Sequence, residues 1–330
     1  MNIKSIIIPL AAIMLASCAN TPSSSQASSL SSQEESSAYE LDLKIASPTG
    51  APAATLYKFL NEPEEKLEIN AVASNVIAYL SPNSAKDIVI APTNAGVTAI
   101  NKKNAPFKLA ATLTFGNFYL AATGNDDDDT LDADDYVVAF QQGNVPDKIF
   151  QYVYGDMEFS NLHYVDEASN AAACLISGKN VADENASVDY VLVAEPAMTP
   201  ALSKNPNAKQ VASLSEEYSK KSGGKSIMQA SVFVNDGADK TKVNAFLGEL
   251  KKDVEEFIAN PDVLDTYTAS LGEDAAKAKL GVPSTAVLKA VTKNGNRMGL
   301  GYKNAFENKD AIDNFLTLFG LSADEEIYFK

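Results

Sequence analysis

The sequence predicts an α/β protein, and three observations lead to this class. The chain has 330 residues, 45% of them hydrophobic and 21% charged, which is enough apolar material for a large core in one or two domains. Short apolar runs alternate with segments of helical spacing, as they do in βαβ units. This alternation occurs in two successive runs, and a largely helical region follows the second run.

The first run of alternation occupies residues 39–123. Residues 39–47 ("YELDLKIAS") predict a strand, because their apolar and polar residues alternate. Residues 50–60 ("GAPAATLYKFL") have the apolar spacing of a helix. The same order recurs, with predicted strands at 67–73, 86–92 and 107–115 and predicted helices at 75–81, 93–103 and 116–123.

The second run follows an acidic stretch and extends to residue 196; one further strand and the largely helical region come after it. Residues 168–179 ("ASNAAACLISGK") predict a helix that Gly178 ends, since glycine favours the left-handed conformation of a helix terminus. The other predicted elements are strands at 134–142, 162–165, 188–196 and 226–234 and helices at 143–155, 241–260, 273–281, 284–293 and 308–320.

The N-terminus carries a processing signal. Lys4 precedes an apolar run at 6–16 that is too short to span a bilayer, and "LASC" ends at Cys18. This arrangement resembles a bacterial lipobox. The resemblance implies a signal peptide at 1–17, a diacylglycerol on the Cys18 thiol and an acyl chain such as palmitate on its amine. Two or more chains give stable anchoring of a protein to a membrane. The alternative is an ordinary signal peptide with a chance cysteine.

Composition defines the segments around this anchor and excludes one class of partner. The Ser-rich stretch 18–38 buries too little apolar surface to fold, so we expect a flexible tether. A net charge of −16 excludes nucleic acid, whose binding depends on clustered Lys and Arg. The acidic run 125–135 predicts a solvated loop; calcium is the alternative, but Leu131 stands where an EF-hand loop needs glycine. With Cys18 acylated, Cys174 has no disulfide partner.

Small and polar residues recur where predicted strands end. Residues 47–52 ("SPTGAP") contain no acid, base or nucleophile, but they allow close backbone approach to a helix N-terminus. Ligands of open α/β sheets bind at such strand ends. The same kind of junction follows at 91–96, 115–119 and 141–146, which predicts one shared cleft. The alternative is that Ser, Thr and Asn only cap the helices.

In their order and spacing, these segments resemble the substrate-binding lipoproteins of ABC importers, in the branch that takes nitrate, sulfonates, taurine and thiamine precursors. The resemblance covers about residues 41–319 and implies a two-lobed type 2 periplasmic-binding-protein fold. Each lobe would be a mixed sheet flanked by helices, and crossing hinge strands would join the lobes. The segments that carry the resemblance are "SPTGAP", "APTNAG", "FGNFYLA", "QQGNVPDKIF", "AEP" at 194–196 and "QASVFV" at 229–234. The implied division is lobe I at 39–123 and 230–330 and lobe II at 124–229.

The resemblance also implies a set of solute contacts. The close-approach argument adds Ala51, and the aromatic residues Phe115, Phe118 and Tyr119 favour a flat or apolar solute body. Two departures affect the pocket: the family usually has Trp or a larger aromatic at Phe115, and the acidic run replaces a short Gly-containing segment. The implied contacts are Ser47, Thr49, Gly50, Thr93, Asn94, Gly116, Asn117, Gln142, Gly143, Asn144 and Glu195.

Two charged residues have alternative interpretations. Glu195 is a contact for a cationic or hydrogen-bonding solute, or else a group at the hinge or rim. Arg297, the only arginine, could hold a carboxylate or sulfonate, but a surface salt bridge is commoner. Helix N-termini favour an anionic end on the solute and the aromatic residues favour a flat body.

Catalytic constellations are absent from the sequence, so we predict that the chain is not an enzyme. His163 is the only histidine and has no partner at catalytic or metal-ligand spacing. "SGGKS" at 222–226 lacks the first glycine of a phosphate-binding loop. The sequence therefore predicts a monomeric, extracytoplasmic, lipid-anchored receptor without metal or cofactor, which delivers a small solute to an ABC permease and ATPase. The alternatives are a sensing or adhesion lipoprotein and a pyrimidine synthase of the same fold.

Overall fold

A computed structural model describes residues 39–126 and 130–330. The predicted signal peptide, the Cys18 anchor and the tether lie outside these residues, as does part of the acidic run. The strands are β1 Ile45–Pro48, β2 Leu67–Asn70, β3 Ile88–Pro92, β4 Phe107–Thr114, β5 Phe118–Ala122, β6 Tyr136–Phe140, β7 Asn161–Val165, β8 Lys179–Asn180, β9 Asp183–Ser187, β10 Tyr190–Ala194, β11 Lys209–Ser213, β12 Ala230–Asn235 and β13 Leu300–Asn304.

Helices follow most of these strands and form a group near the C-terminus. Short 3₁₀ turns lie at Tyr57–Phe59, Gly155–Met157, Pro261–Val263, Phe306–Asn308 and Glu325–Ile327. The α-helices are α1 Ala51–Ala54, α2 Ala73–Ile77, α3 Thr93–Lys103, α4 Val145–Tyr154, α5 Ala168–Ser177, α6 Met198–Lys204, α7 Leu214–Lys221, α8 Lys240–Ala259, α9 Leu264–Thr268, α10 Glu273–Leu280, α11 Thr285–Lys293 and α12 Lys309–Thr317.

The strands form two mixed sheets, which confirms the predicted fold class. The six-stranded sheet has the order β13-β4-β12-β3-β1-β2, and the five-stranded sheet has the order β11-β5-β10-β6-β7. In each sheet the strands of the βαβ units pair in parallel, as β1 does with β2 and β3, while β12 and β5 pair antiparallel with both neighbours. Strands β8 and β9 form a separate hairpin.

The chain passes between the sheets at two connections. Residues 115–117 join β4 of the six-stranded sheet to β5 of the five-stranded sheet, and residues 214–229, which include α7, lead back from β11 to β12. The predicted lobe boundary at 123/124 therefore falls after β5, whereas the boundary at 229/230 coincides with the start of β12. The assignment of residues to lobes remains a prediction.

One predicted element has the wrong type. Residues 116–123 were expected to form a helix, but Phe118–Ala122 is strand β5, which lies between β10 and β11 and is buried along its whole length. An apolar run buried on both faces has no alternating pattern, so periodicity does not separate it from a buried helix. Strands β11 and β13 were not predicted, and the helix predicted at 50–60 is reduced to α1 and a 3₁₀ turn.

Buried side chains fill the space beside both sheets. One apolar cluster extends from Val89 of β3 through Leu192 of β10 to Phe315 of α12. A second cluster packs α8 against the six-stranded sheet, with Phe246 and Val232 among its members. Among residues 39–126 and 130–330, no helix combines the length and apolar character needed to cross a bilayer.

Candidate solute-binding cleft

A cavity of about 670 Å³ lies where strand ends of the two sheets meet. We call it the front cavity. Most of its lining residues come from the junctions that follow β1, β3, β6 and β10 and from the segments that precede β5 and β12, and helices α2 and α5 add the rest, so both sheets contribute to its wall. Polar residues at these six junctions are Thr49, Asn94, Gln141, Asn144, Glu195, Asn117 and Gln229.

Helix α3 reaches the front cavity through close packing on β12. The Cβ of an alanine at position 96 would lie 2.0 Å from the ring of Phe233, so only glycine permits this approach. The buried Thr93 hydroxyl lies 2.7 Å from Ser231 Oγ, and the Thr93 amide donates to the Gln229 carbonyl at 3.0 Å. These contacts fix the first turn of α3 and place Asn94 at the cavity wall.

The crossing segment is bonded to the end of β10 beside the cavity. The Glu195 amide donates to the Asn117 carbonyl at 2.9 Å, and Asn117 Nδ2 donates to the Glu195 carbonyl at 2.5 Å. This reciprocal pair continues the hydrogen bonding of β5 with β10 by one residue. Asn117 is 9% exposed.

The carboxylate of Glu195 is fully engaged within the protein. It accepts hydrogen bonds from the Thr199 amide at 3.1 Å, the Thr199 hydroxyl at 2.7 Å and Arg297 Nε at 2.8 Å. The side chain of Glu195 is 0% exposed and that of Arg297 is 20% exposed. Arg297 lies outside the wall of the front cavity. The pair joins the end of β10 to the loop before β13, so it connects regions that carry the two sheets.

Helix α4 begins at the front cavity with an internal carboxylate at its positive end. Asp147, in the first turn, is 5% exposed. It accepts from the Gly143 amide at 2.7 Å and from the Tyr164 hydroxyl at 2.8 Å. The Tyr164 pKa is raised to about 12, chiefly by burial and then by this hydrogen bond. The Gly143 amide, which precedes α4, therefore already has a hydrogen-bond acceptor.

Three carboxamide oxygens of cavity-lining residues have no hydrogen-bond partner in the described structure. They are Asn94 Oδ1, Asn117 Oδ1 and Gln229 Oε1, and all three are shielded from solvent. A buried acceptor without a partner costs about 1–3 kcal/mol. These three residues belong to three different strand junctions of the front cavity.

The sequence-predicted contacts divide into several groups. Thr49, Asn94, Asn117, Asn144 and Glu195 line the front cavity. Ser47, Ala51 and Thr93 are buried outside its lining, and Gly50, Gln142 and Gly143 are more exposed but also outside it. Phe115, Gly116 and Tyr119 line a different cavity of about 420 Å³, which we call the rear cavity and which Arg297 and Gly299 also line.

Several lining residues were not among the predicted contacts. Gln229 lies in "QASVFV", within the strand predicted at 226–234, and directly precedes the observed strand β12. Phe118, named in the sequence only as an aromatic group that favours a flat solute, and Phe140 both line the front cavity, and their rings pack edge to face with centroids 6.0 Å apart. Phe140 ends β6 and was counted only as part of a strand.

Residues considered for catalysis lie apart from the front cavity. His163 is exposed on the edge strand β7 and stacks on Tyr136 with centroids 4.2 Å apart. Cys174 is buried in α5, and burial raises the pKa of its thiol. Within the described ranges, no group of three or more His, Cys, Asp or Glu side chains has a metal-binding arrangement.

Comparison with known proteins identifies the fold. No protein-family model and no curated protein matches the chain. An ABC transporter structure from Parabacteroides distasonis is 19% identical, with a TM-score of 0.68 over 88% of this chain and 99% of the other. The periplasmic aliphatic sulphonate binding protein of Escherichia coli is 13% identical, with a TM-score of 0.62 over 88% and 93%.

A third structure agrees with these two. The periplasmic sulfonate-binding protein of a sulfonate ABC transporter, described as putative, from Methylobacillus flagellatus is 16% identical, with a TM-score of 0.57 over 87% of this chain and 91% of the other. The chain thus has the fold of periplasmic binding proteins, as the sequence resemblance implied.

Proposed function

We propose that the chain is an extracytoplasmic receptor that captures a small organic solute in the front cavity and delivers it to an ABC permease. The observation that carries this proposal is the convergence of strand ends from both sheets on one cavity of about 670 Å³. Sites of this size, with apolar walls and a few polar groups, hold small molecules. The solved structures with this fold include sulfonate-binding proteins, which supports a small polar solute.

In this proposal the solute selects the closed arrangement of two lobes. Residues from both sheets line the front cavity, so a solute contacts both only when the lobes are close together. A ligand shifts such an equilibrium by its differential affinity for the closed state. The closed receptor then docks on the permease, whose ATPase drives transport. This cycle needs no catalytic side chain, because the solute is delivered unchanged.

Binding is tested by thermal unfolding of the purified protein with a panel of sulfonates, nitrate and pyrimidines. A solute at 100 times its Kd should increase the free energy of unfolding by about 2.7 kcal/mol. The absence of a shift with every member of the panel, together with no solute retained on purification, would contradict a receptor function.

The anchor is tested separately by labelling cells with a radioactive fatty acid. We expect the label and membrane association in the natural chain and neither in the Cys18→Ser variant. Label in the Cys18→Ser variant would contradict acylation at this cysteine. The thermal test and the labelling test address separate parts of the proposal, so the result of one does not decide the other.

A further inference from the structure

The wall of the front cavity has an unusual charge balance for an anion receptor. In the part of the chain that the structure describes, none of its lining residues is Lys or Arg. Glu195 is its one ionisable side chain, and Thr199 and Arg297 already occupy that carboxylate. An adjoining cavity contains Lys277, but this ammonium lies 2.9 Å from Asp274. A fully charged solute would therefore have no free counter-charge in the cavity wall.

The start of α4 adds to this argument. Helix N-termini attract anions through their partial positive charge. The buried carboxylate of Asp147 lies in the first turn of α4 and takes the Gly143 amide. A second anion beside this turn would be repelled by the first, which makes the junction at 143–145 unfavourable for a sulfonate or carboxylate.

The three unpartnered carboxamides indicate what the wall can recognise instead. Asn117 has a fixed orientation, because its Nδ2 donates to the Glu195 carbonyl and turning the amide would oppose two oxygens. Its Oδ1 therefore remains an acceptor that needs a donor. Asn94 and Gln229 contribute two more carboxamides with unmatched oxygens. A carboxamide offers one acceptor and two donors, so this group suits a solute with both.

The aromatic residues specify the shape of the solute body. Phe118 and Phe140 both line the front cavity, and their rings meet at 60°. Aromatic walls favour a flat, apolar ring. The polar carboxamides and the aromatic pair belong to the same cavity, so one solute could use both.

Resting on the proposed function, we propose that the solute is uncharged and planar and presents N–H donors, as a carboxamide or an amino-substituted heterocycle does, and that Asn94, Asn117 and Gln229 recognise it. A sulfonate or nitrate ion offers only acceptors, so it would leave the Asn117 oxygen unpaired. Such an ion would also lie against a cavity wall that, in the described residues, has no Lys or Arg side chain.

The test uses two pairs of probes that differ in charge and donors but not in their ring. Isothermal titration of the purified protein compares benzenesulfonamide with benzenesulfonate, and benzamide with benzoate. We expect each uncharged probe to bind at least about tenfold more tightly than its anion, because an unpaired buried acceptor weakens binding by about this factor or more. Equal or tighter binding of the anions would overturn the inference and leave the receptor function in place.

A matched pair of variants assigns the effect to the front cavity. Gln229→Leu should weaken binding of the uncharged probes about tenfold and leave the anions unchanged, whereas Gln210→Leu, at the rear cavity, should change neither. The melting temperatures show whether both variants are folded. If Gln229→Leu leaves the uncharged probes unaffected, or does not fold while Asn94→Ala leaves them unaffected, the inference fails.

The remaining outcomes are also decisive. If none of the four probes binds but another solute raises the melting temperature, the charge and donors of that solute decide: an uncharged donor supports the inference and an anion overturns it. If no solute at all binds, the proposed function itself fails.

Discussion

The front and rear cavities share one wall but differ in their contacts. Residues 115–119 contribute to both: Asn117 and Phe118 line the front cavity, whereas Phe115, Gly116 and Tyr119 line the rear cavity. Phe118 and Tyr119 are consecutive residues of β5, and consecutive side chains of a strand point to opposite faces. Segment 115–119, which the sequence assigned to a single cleft, therefore contributes to two separate cavities.

A hydrogen bond and a cation–π contact join residues around the rear cavity. The Tyr119 hydroxyl donates to the Arg297 carbonyl at 3.0 Å, and the Arg297 guanidinium lies 4.8 Å from the Tyr119 ring centre. Lys303 donates to Ser226 at 2.7 Å, and burial lowers its pKa. The front cavity instead has three carboxamide oxygens without partners. The rear contacts thus join β5 to the loop before β13, whereas the front cavity retains polar atoms without partners.

The largest expected effect comes from breaking the ion pair beside both cavities. Arg297→Met leaves the buried carboxylate of Glu195 without its cation, so we expect a loss of about 3–5 kcal/mol in the free energy of unfolding. Urea denaturation measures it. If the contacts at the rear are dispensable, the loss will be below about 1 kcal/mol, the usual range for exposed pairs.

The double variant Glu195→Gln with Arg297→Met is the control for this loss. It removes both charges and keeps a side chain that can bond to Thr199, so we expect it to be more stable than Arg297→Met alone. If the double variant is the less stable of the two, packing of the arginine, and not its charge, determines the effect.

The next effect concerns the close contact that supports the crossing segment. Gly299 has φ +61°, and a Cβ there would lie 2.2 Å from the Gly116 carbonyl oxygen. We expect Gly299→Ala to lose about 3 kcal/mol, from left-handed strain and overpacking together. Gly295 has φ +73° and open space around its Cα, so Gly295→Ala should lose only the strain, about 1–2 kcal/mol. Equal losses by thermal unfolding would contradict a role for the Gly299–Gly116 contact.

The smallest effect tests the hydroxyl at the rear cavity. Tyr119→Phe removes the hydrogen bond to the Arg297 carbonyl, and we expect a loss of about 0.5–1.5 kcal/mol at neutral pH. Burial raises the Tyr119 pKa from 10.0 to about 12. The folded state therefore favours the protonated phenol, and its contribution is complete below pH 10 and lost as the pH rises to 12.

Denaturation at several pH values measures this dependence. The difference between the natural chain and Tyr119→Phe should shrink between pH 10 and 12. Tyr154 is a matched control, since burial also raises its pKa to about 12; because no hydrogen bond of its hydroxyl is seen in the described residues, Tyr154→Phe should change stability at neutral pH by less than Tyr119→Phe. If the difference in free energy of unfolding between the natural chain and Tyr119→Phe stays constant up to pH 12, the raised pKa of Tyr119 is contradicted.

Local sequence signals were sufficient for most of the fold. The strand and helix at 88–103 were predicted almost residue by residue, because Pro92 and Thr93 mark the junction between a β-branched run and an amphipathic segment. The strand at 118–122 was predicted as a helix, because burial on both faces removes its alternation. Strand β13 lies between helices and depends on its pairing with β4, a contact about 190 residues away in sequence that no local pattern contains.

The candidate site was only partly predictable for a related reason. Junction chemistry identified Thr49, Asn94, Asn117 and Asn144, since each follows a strand or precedes a helix. It did not show which residues of 115–119 line the front cavity and which line the rear cavity. This depends on which face of the sheet each side chain of β5 occupies. Gln229 was missed because a glutamine before a strand has no local signature; its significance comes from the two other carboxamides that the fold brings to the same wall.

Residues 115–119 supply part of the wall of both cavities, so a change of side chain or backbone in this segment alters two surfaces at once. A small molecule in the rear cavity beside Tyr119 would contact the segment that also carries Asn117 and Phe118, and it would do so without occupying the front cavity.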